Sequence, residues 1–261
     1  MQLVCIDNGY GDTKVKTSEK LNKFSSKIQL AMNNDGSIIK YNGASYQVGT
    51  GHDDIIVDKS NSLTHKLCLL KAIAENAEDN DDLHILLDLP LVQYYNPNYR
   101  CDLKKFIKQN EIINYNDTQK KINIKQVDIY PQGLVSLYAN DITNYINRIV
   151  GILDIGALTI DGCIVDNLKP IKESMFSINL GTKILENKVK TRLNQELLMN
   201  LQDYEIPYII KDGIKNIPEA EQIINYVIEE YMVLIRREML GKNWSLEVLD
   251  IIGTGGGSLL L

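Results

Sequence analysis

Two aspartates end apolar strands in this sequence. In "LVCIDNGYGDTKVK", Asp7 closes an apolar run and Gly9 follows two residues later; in "VGILDIGALTIDGCIV", Asp154 and Gly156 repeat the arrangement. A carboxylate inside an apolar strand is costly unless a cation, a donor or water meets it. One offset relates both pairs, since 154 − 7 and 156 − 9 are each 147. Two readings follow. The first is a pair of unrelated Asp-x-Gly turns, common in sheet proteins. The second is a tandem of two similar lobes whose turns face each other across a cleft. In the second reading the amides of residues 9–13 and 156–159 form anion nests for phosphate oxygens. The two aspartates then hold a hydrated magnesium on a triphosphate, an ion that keeps its waters and touches protein through one or two carboxylates. Lys14 is either a point charge beside the phosphates or an exposed hairpin lysine.

The elements around these turns alternate. "LVCID", "NGYGD" and "TKVKT" read as strand, turn and returning strand, and "IIKYNGASYQVGTG" as a hairpin turning at Asn42-Gly43. Helical spacing in "SLTHKLCLLKAIAENA" precedes a buried strand, "LHILLDLPL", stopped by Pro90. "YRCDLKKFIKQN" reads as helix, "KINIKQVDIYP" as strand, and residues 132–148 ("QGLVSLYANDITNYINR") as one helix. "IVGILDIG" and "TIDGCIV" repeat the first hairpin. Two long helices follow, in "GTKILENKVKTRLNQELLMNL" and "IPEAEQIINYVIEEYMVLIRREML", the second with Gly241 just past its end. "LEVLDIIGTGGGSLLL" is a strand entering a glycine turn. Strand–helix alternation makes the fold class α/β.

With 261 residues, 44% of them hydrophobic, the chain can bury two cores. A net charge of −6 argues against direct nucleic-acid binding, although "DLKKFIKQN" and "DTQKKINIK" are locally basic. Cys5, Cys68, Cys101 and Cys163 have no metal or redox spacing and suit a reducing cytoplasm. His52, His65 and His84 are isolated and form no ligand pair. No signal peptide or membrane span is visible.

In order along the chain, "IDNGYGDTK", "LDIGALTID" and "IIGTGGGSLL" resemble the first phosphate, second phosphate and adenosine loops of the actin fold superfamily. Within it they resemble the bacterial actin-like proteins of plasmid partition, the ParM/StbA type. "KYNGASYQVG", "LDLPLVQYYNPN" and "DIYPQGLVSLYA" resemble that group's small hairpin, Leu-Pro strand end and connecting helix. The resemblance implies two lobes with a nucleotide cleft. Lobe I spans 1–147 with a hairpin subdomain near 33–80; lobe II spans 148–261 with a helical subdomain near 182–243. It implies ATP as cofactor, with GTP as the alternative, and Mg2+ held through water by Asp7 and Asp154. Gln132 stands where the family orients the attacking water, and Asp154 lies on the attacking-water side. Asn8, Gly9, Gly11, Asp12, Thr13 and Lys14 form the first binding loop, and Gly156, Ala157, Leu158 and Thr159 the second. Gly255, Gly256 and Gly257 let backbone approach the nucleotide; Gly181 and Thr182 open a helix near the ribose side, and Glu186 and Lys190 lie one turn apart beside the adenosine. The activity implied is ATP hydrolysis coupled to head-to-tail filament assembly in plasmid DNA segregation. The partners implied are other copies of the chain and a DNA-binding adaptor, in the cytoplasm, with no direct nucleic acid and no membrane.

Two departures stand out. Ala157 replaces the second of two adjacent glycines usual in this loop, and the chain stops at Leu261, before elements that normally complete the second lobe, so the expectation is a truncated second lobe. Rival readings are a nucleotide-binding scaffold without turnover, which Ala157 favours, and a sugar or acetate kinase, for which Asp88 is the available acid. A chaperone ATPase would need a peptide-binding domain that this chain has no room for.

Overall fold

A computed structural model describes residues 1–32, 35–52, 59–139 and 141–260. The chain divides into two compact units, Met1–Gln132 and Gly133–Leu261.

The first unit runs β1 (Gln2–Asn8), β2 (Asp12–Lys16), β3 (Leu21–Ser25), β4 (Ile28–Leu30), β5 (Ile38–Tyr41), β6 (Ala44–Val48) and α1 (Leu63–Asn76). It continues with β7 (Asp82–Leu89), α2 (Leu91–Tyr94), α3 (Pro97–Gln109), β8 (Ile112–Tyr115), β9 (Thr118–Lys121) and β10 (Asn123–Pro131). Its main sheet has the order β10-β7-β1-β2-β3, parallel from β10 to β1 and antiparallel from β1 to β3. The small sheet, β4-β6-β5-β8-β9, is built on the expected hairpin, whose turn residues Asn42 and Gly43 both have positive φ, +48° and +80°. It also takes in β8, from a stretch that carried no sequence reading, and β9, from one read as locally basic. That segment's Lys120 donates to the carbonyls of Ala74 and Ala77 at 2.8 and 2.9 Å, closing the C-terminal end of α1, which has no basic residue of its own there. At the other end Ser62 caps α1, its Oγ accepting from His65 N at 3.1 Å. Leu67, Leu70 and Ile73 of α1 are buried in one core with Val4, Ile6, Leu83 and Ile85 of the sheet.

The second unit runs α4 (Val135–Ala139), a 3-10 turn (Ile142–Tyr145), β11 (Ile149–Ile155), β12 (Ile160–Asp166), β13 (Lys169–Ile178), α5 (Thr182–Glu196), α6 (Ile206–Asp212), α7 (Pro218–Gly241), β14 (Asp250–Thr254) and a last 3-10 turn (Gly256–Leu259). The sheet order is β13-β12-β11-β14, antiparallel except for β11 with β14. Leu185, Val189 and Leu193 of α5 bury one stripe, and Ile224, Val227, Tyr231 and Ile235 of α7 another, against Leu153, Ile155 and Ile160. Trp244, 2% exposed, donates its indole N–H to Ser174 O at 3.0 Å and packs on Phe176.

The echo read from the two aspartates extends to topology. In each unit an antiparallel three-strand meander begins with the strand that bears the aspartate, β1-β2-β3 or β11-β12-β13. A later strand, β7 or β14, adds parallel to that first strand.

The single helix expected over 132–148 does not form. Only α4 and the short 3-10 turn are helical among its described residues, and Gly133 has φ +80°. Asp141 adopts extended backbone and accepts from Thr143 N at 3.0 Å and Thr143 Oγ1 at 2.7 Å, a local bond that competes with helix continuation. Gly241, expected just past the end of the last long helix, is instead the final residue of α7. No helix among the described residues is long and apolar enough to cross a membrane.

Candidate functional site

In the first unit, the β1–β2 hairpin carries residues 7–14. Asp7 and Lys14 are opposed across the strands and pair at 2.9 Å, while Asp7 Oδ1 is buried without a hydrogen-bond partner. Asn8 and Thr13 spend their side chains on the fold: Asn8 Nδ2 donates to His65 O at 2.9 Å, and Thr13 Oγ1 to Asn8 Oδ1 at 3.1 Å. Ser26 anchors the turn, its Oγ donating to Gly9 O at 2.7 Å and its N to Gly11 O at 2.9 Å. Asp12 pairs with Lys23 at 2.9 Å. A Cβ at Gly9 would lie 2.7 Å from Asp12 O.

The second unit builds a similar turn. Gly156 N donates to Thr159 O at 2.9 Å. The loop is then tied to the start of α5: Gly181 N donates to Leu158 O at 2.9 Å, Thr182 N to Gly156 O at 3.0 Å, and Lys183 N to Ala157 O at 3.1 Å. Those bonds satisfy helix-terminal amides that would otherwise be orphaned.

Both loops therefore have the same polarity. Their carbonyls are bonded inward, by Ser26 in one and by α5 in the other. Among the described residues, nothing accepts from the amides of Gly11, Ala157 or Leu158. Free turn amides with carbonyls withdrawn make a surface that attracts anions.

The glycine run closes on the second loop. A Cβ at Gly255 would overlap Asp154 Oδ1, and one at Gly257 would overlap Ile155 and the Thr182 methyl; at Gly256 nothing lies within 4 Å. Gly133 also abuts Asp154, with 3.6 Å between its would-be Cβ and that of the aspartate. Asp154, Gly156, Ala157, Gly181, Thr182, Gly255 and Gly257 thus form one cluster. Gln132 is the residue before Gly133, fixed by its N–H to Leu89 O at 2.7 Å.

On α5, burial pushes the Glu186 carboxyl above its usual range, partly offset by a hydrogen bond from Thr182. Lys190 pairs with Asp203 at 2.7 Å, so its charge is engaged within the unit. Tyr231 from α7 donates to Leu180 O, and its hydroxyl is pushed up to about 12 by burial, with Glu186 adding to the shift.

Asp161 escaped sequence reasoning. It lies directly across from Asp154 in the β11–β12 ladder, on the same face, and both are buried. Thr159 Oγ1 donates to Asp161 Oδ2 at 3.0 Å. The signal was present, because the offset of 147 that relates the two turns maps Lys14 onto Asp161 (14 + 147 = 161). The first unit balances its aspartate with a lysine; the second places another carboxylate there. Two opposed buried carboxylates call for a cation. Among the described residues no three His, Cys, Asp or Glu side chains gather to hold a metal by themselves. The donor set suits magnesium, which takes one or two carboxylates and fills its shell with water and phosphate.

Asp88, the acid a sugar kinase would use, lines a cavity with Asn8, His65 and Lys59 inside the first unit. Its free volume is about 10 Å3, room for one water and not for a sugar.

A family model described as the actin-like proteins N-terminal domain matches residues 5–134. The chain is an actin-like protein. Among solved structures, it superposes on an archaeal actin homologue, Ta0583, with a TM-score of 0.78 at 18% identity, covering 99% of this chain and 88% of that one. It superposes on the pSK41 ParM protein with a TM-score of 0.70 at 17% identity, covering 98% and 86%. For the Alp12 filament structure the TM-score is 0.71 at 22% identity, covering 98% and 87%. Ta0583 has also been solved in complex with ADP. No curated protein matches the chain by sequence. The actin-like fold expected from the loop motifs is the fold observed.

Proposed function

We propose that this actin-like protein binds and hydrolyses ATP with magnesium, and that nucleotide governs its head-to-tail assembly into filaments that segregate plasmid DNA. The observation that carries the reading is the matched polarity of the two loops, with carbonyls withdrawn and the amides of Gly11, Ala157 and Leu158 free for phosphate. The ADP complex of Ta0583 and the filament of Alp12 lend support through the shared fold, and the partition role rests on the resemblance of the loop motifs to the ParM/StbA type.

In this reading the lobes span 1–147 and 148–261. Asp7 and Asp154 hold the magnesium waters, with Asp161 adding negative charge beside Asp154. Bound magnesium would neutralise charge on the phosphates. Gln132 orients the attacking water. Gly255 and Gly257 bring backbone close to the nucleotide, and Glu186 faces its adenosine end. Lys14 serves by keeping the Asp7 carboxylate in place. GTP is the competing nucleotide, and a DNA-binding adaptor supplies the basic surface that a chain of net charge −6 does not.

The test is light scattering and sedimentation with Mg–ATP, Mg–GTP and no nucleotide. Scattering should rise above a critical concentration with the cognate nucleotide. A chain that stays dispersed with every nucleotide overturns the filament reading.

A further inference from the structure

The outer face of α7 carries an apolar ridge, open except where the Arg192 guanidinium lies 5.5 Å from the centre of the Tyr226 ring. Tyr226, Val233 and Leu240 are 52%, 61% and 55% exposed. Their seven-residue spacing sets them about 10.5 Å apart along one side of the helix. The buried stripe of Ile224, Val227, Tyr231 and Ile235 occupies the opposite side.

The charges around this ridge change sign at its centre. Glu229 and Glu230 precede Val233, and Arg236 and Arg237 follow it. Among the described residues Glu229, Arg236 and Arg237 make no ion pair, and Glu230 reaches only Arg192, at 4.0 Å.

The partner this face fits must reverse its charge halfway along a single helix. The same helix run backwards does so. Lay a second α7 antiparallel on the first with the two Val233 side chains opposed. Residues on the same flank of the ridge then meet: Tyr226 meets Leu240 along it, Glu229 meets Arg236 on one side, and Glu230 meets Arg237 on the other. A parallel copy would instead set acid against acid. We infer that α7 is a self-docking face, on which a second copy of this chain packs antiparallel across a twofold axis at Val233. Such a contact is isologous and closes at two copies, unlike the head-to-tail contact of the proposed filament. One helix face is small beside the roughly 800 Å2 per partner of a standard interface, so the dimer is weak and in fast exchange.

The test uses the full chain without nucleotide, so it is independent of the filament reading; ATP-dependent scattering can fail while this dimer persists, and the reverse. Sedimentation equilibrium should show a monomer–dimer equilibrium. Glu229→Arg and Arg236→Glu should each raise the dissociation constant at least about tenfold, because each sets like charges together twice. The charge-swapped double variant should regain self-association, and an equimolar mixture of the single variants should form the heterodimer. In a Cys101→Ser background, Val233→Cys should form a disulfide-linked dimer under mild oxidation, and Asn225→Cys should not. A wild-type chain that stays monomeric to about 1 mM, single variants that associate like wild type, or a Val233→Cys chain that does not cross-link overturns the proposal. Circular dichroism checks that each variant folds, and the cross-link decides if a charge variant does not.

Discussion

Gly255 and Asp154 share a space that a single methyl group would fill. The glycine holds φ at +80°, and its backbone passes so close to the aspartate that any Cβ would overlap Asp154 Oδ1 and lie 2.6 Å from Ile155 O. Neighbouring Gly256 faces open space. Gly255→Ala therefore meets two penalties, left-handed backbone and displacement of the carboxylate, and should cost about 1–3 kcal/mol of stability. Phosphate release should fall at least tenfold. Gly256→Ala should leave both nearly unchanged. Denaturant melts and phosphate-release rates of the two variants, compared side by side, check this; equal effects would mean that the close approach to Asp154 does not matter.

On the proposed reading, the facing of Asp154 by Asp161 predicts a magnesium dependence. Without a cation, the two buried carboxylates repel, and Asp161→Asn should raise stability by up to about 1 kcal/mol. The same change removes charge from the proposed ion site, so the stabilisation by added Mg–ATP should shrink. Thermal melts with and without Mg–ATP read both effects. A variant that is less stable without metal and responds fully to Mg–ATP would rule out a charge role for Asp161.

Gln132 is positioned by its backbone, one residue before the left-handed Gly133 and hydrogen-bonded to Leu89 O. If its amide orients the attacking water, Gln132→Ala should lower turnover by about tenfold to a hundredfold while nucleotide affinity stays within about twofold. Steady-state phosphate release and equilibrium binding of a fluorescent nucleotide separate the two. Unchanged turnover assigns the water to another group.

The turns and the long helices were legible because their signals are local. Asn42-Gly43 demands positive φ wherever it occurs, and the apolar spacing of α5 and α7 needs only those segments to be seen. The echo between Asp7 and Asp154 was readable because it is a fixed offset, and the topology of both sheets follows it. What stayed hidden depends on partners distant in sequence. β8 carries too little pattern to show that it would extend the hairpin sheet. The break in the segment 132–148 turns on the Asp141 carboxylate capturing Thr143, which hydrophobic period does not register. Asn8 and Thr13 belong to the loop expected to bind nucleotide; their side chains face His65 O and each other, with Ser26 closing the network at 2.9 Å from Thr13. Loop side chains of binding type can thus serve the loop's own shape, and in the proposed reading contact with phosphate falls to the backbone amides.

That network gives the first unit a pH dependence. His65 is 3% exposed, its Nδ1 lies 2.9 Å from Ser62 Oγ, its Nε2 has no partner, and Tyr10 packs edge-on against the ring. Burial, with nearby Lys59 second, lowers its pKa from the usual 6.5 to about 3. The folded chain therefore keeps this imidazole neutral where the unfolded chain protonates it. The unfolded state binds the extra proton between about pH 6.5 and 3, so the contribution of His65 to stability is complete above 6.5 and is lost as pH falls through that window. Between pH 7 and pH 5 the loss from this group should be about 2 kcal/mol. In His65→Gln that part of the slope should vanish, although the variant starts from lower stability at pH 7 because the ring's packing is gone. Urea unfolding of both proteins at pH 7, 6 and 5 measures the difference. Parallel pH profiles would mean that His65 is protonated in the folded chain, and that the space around its Nε2 is wetter than the packing against Tyr10 and α1 allows.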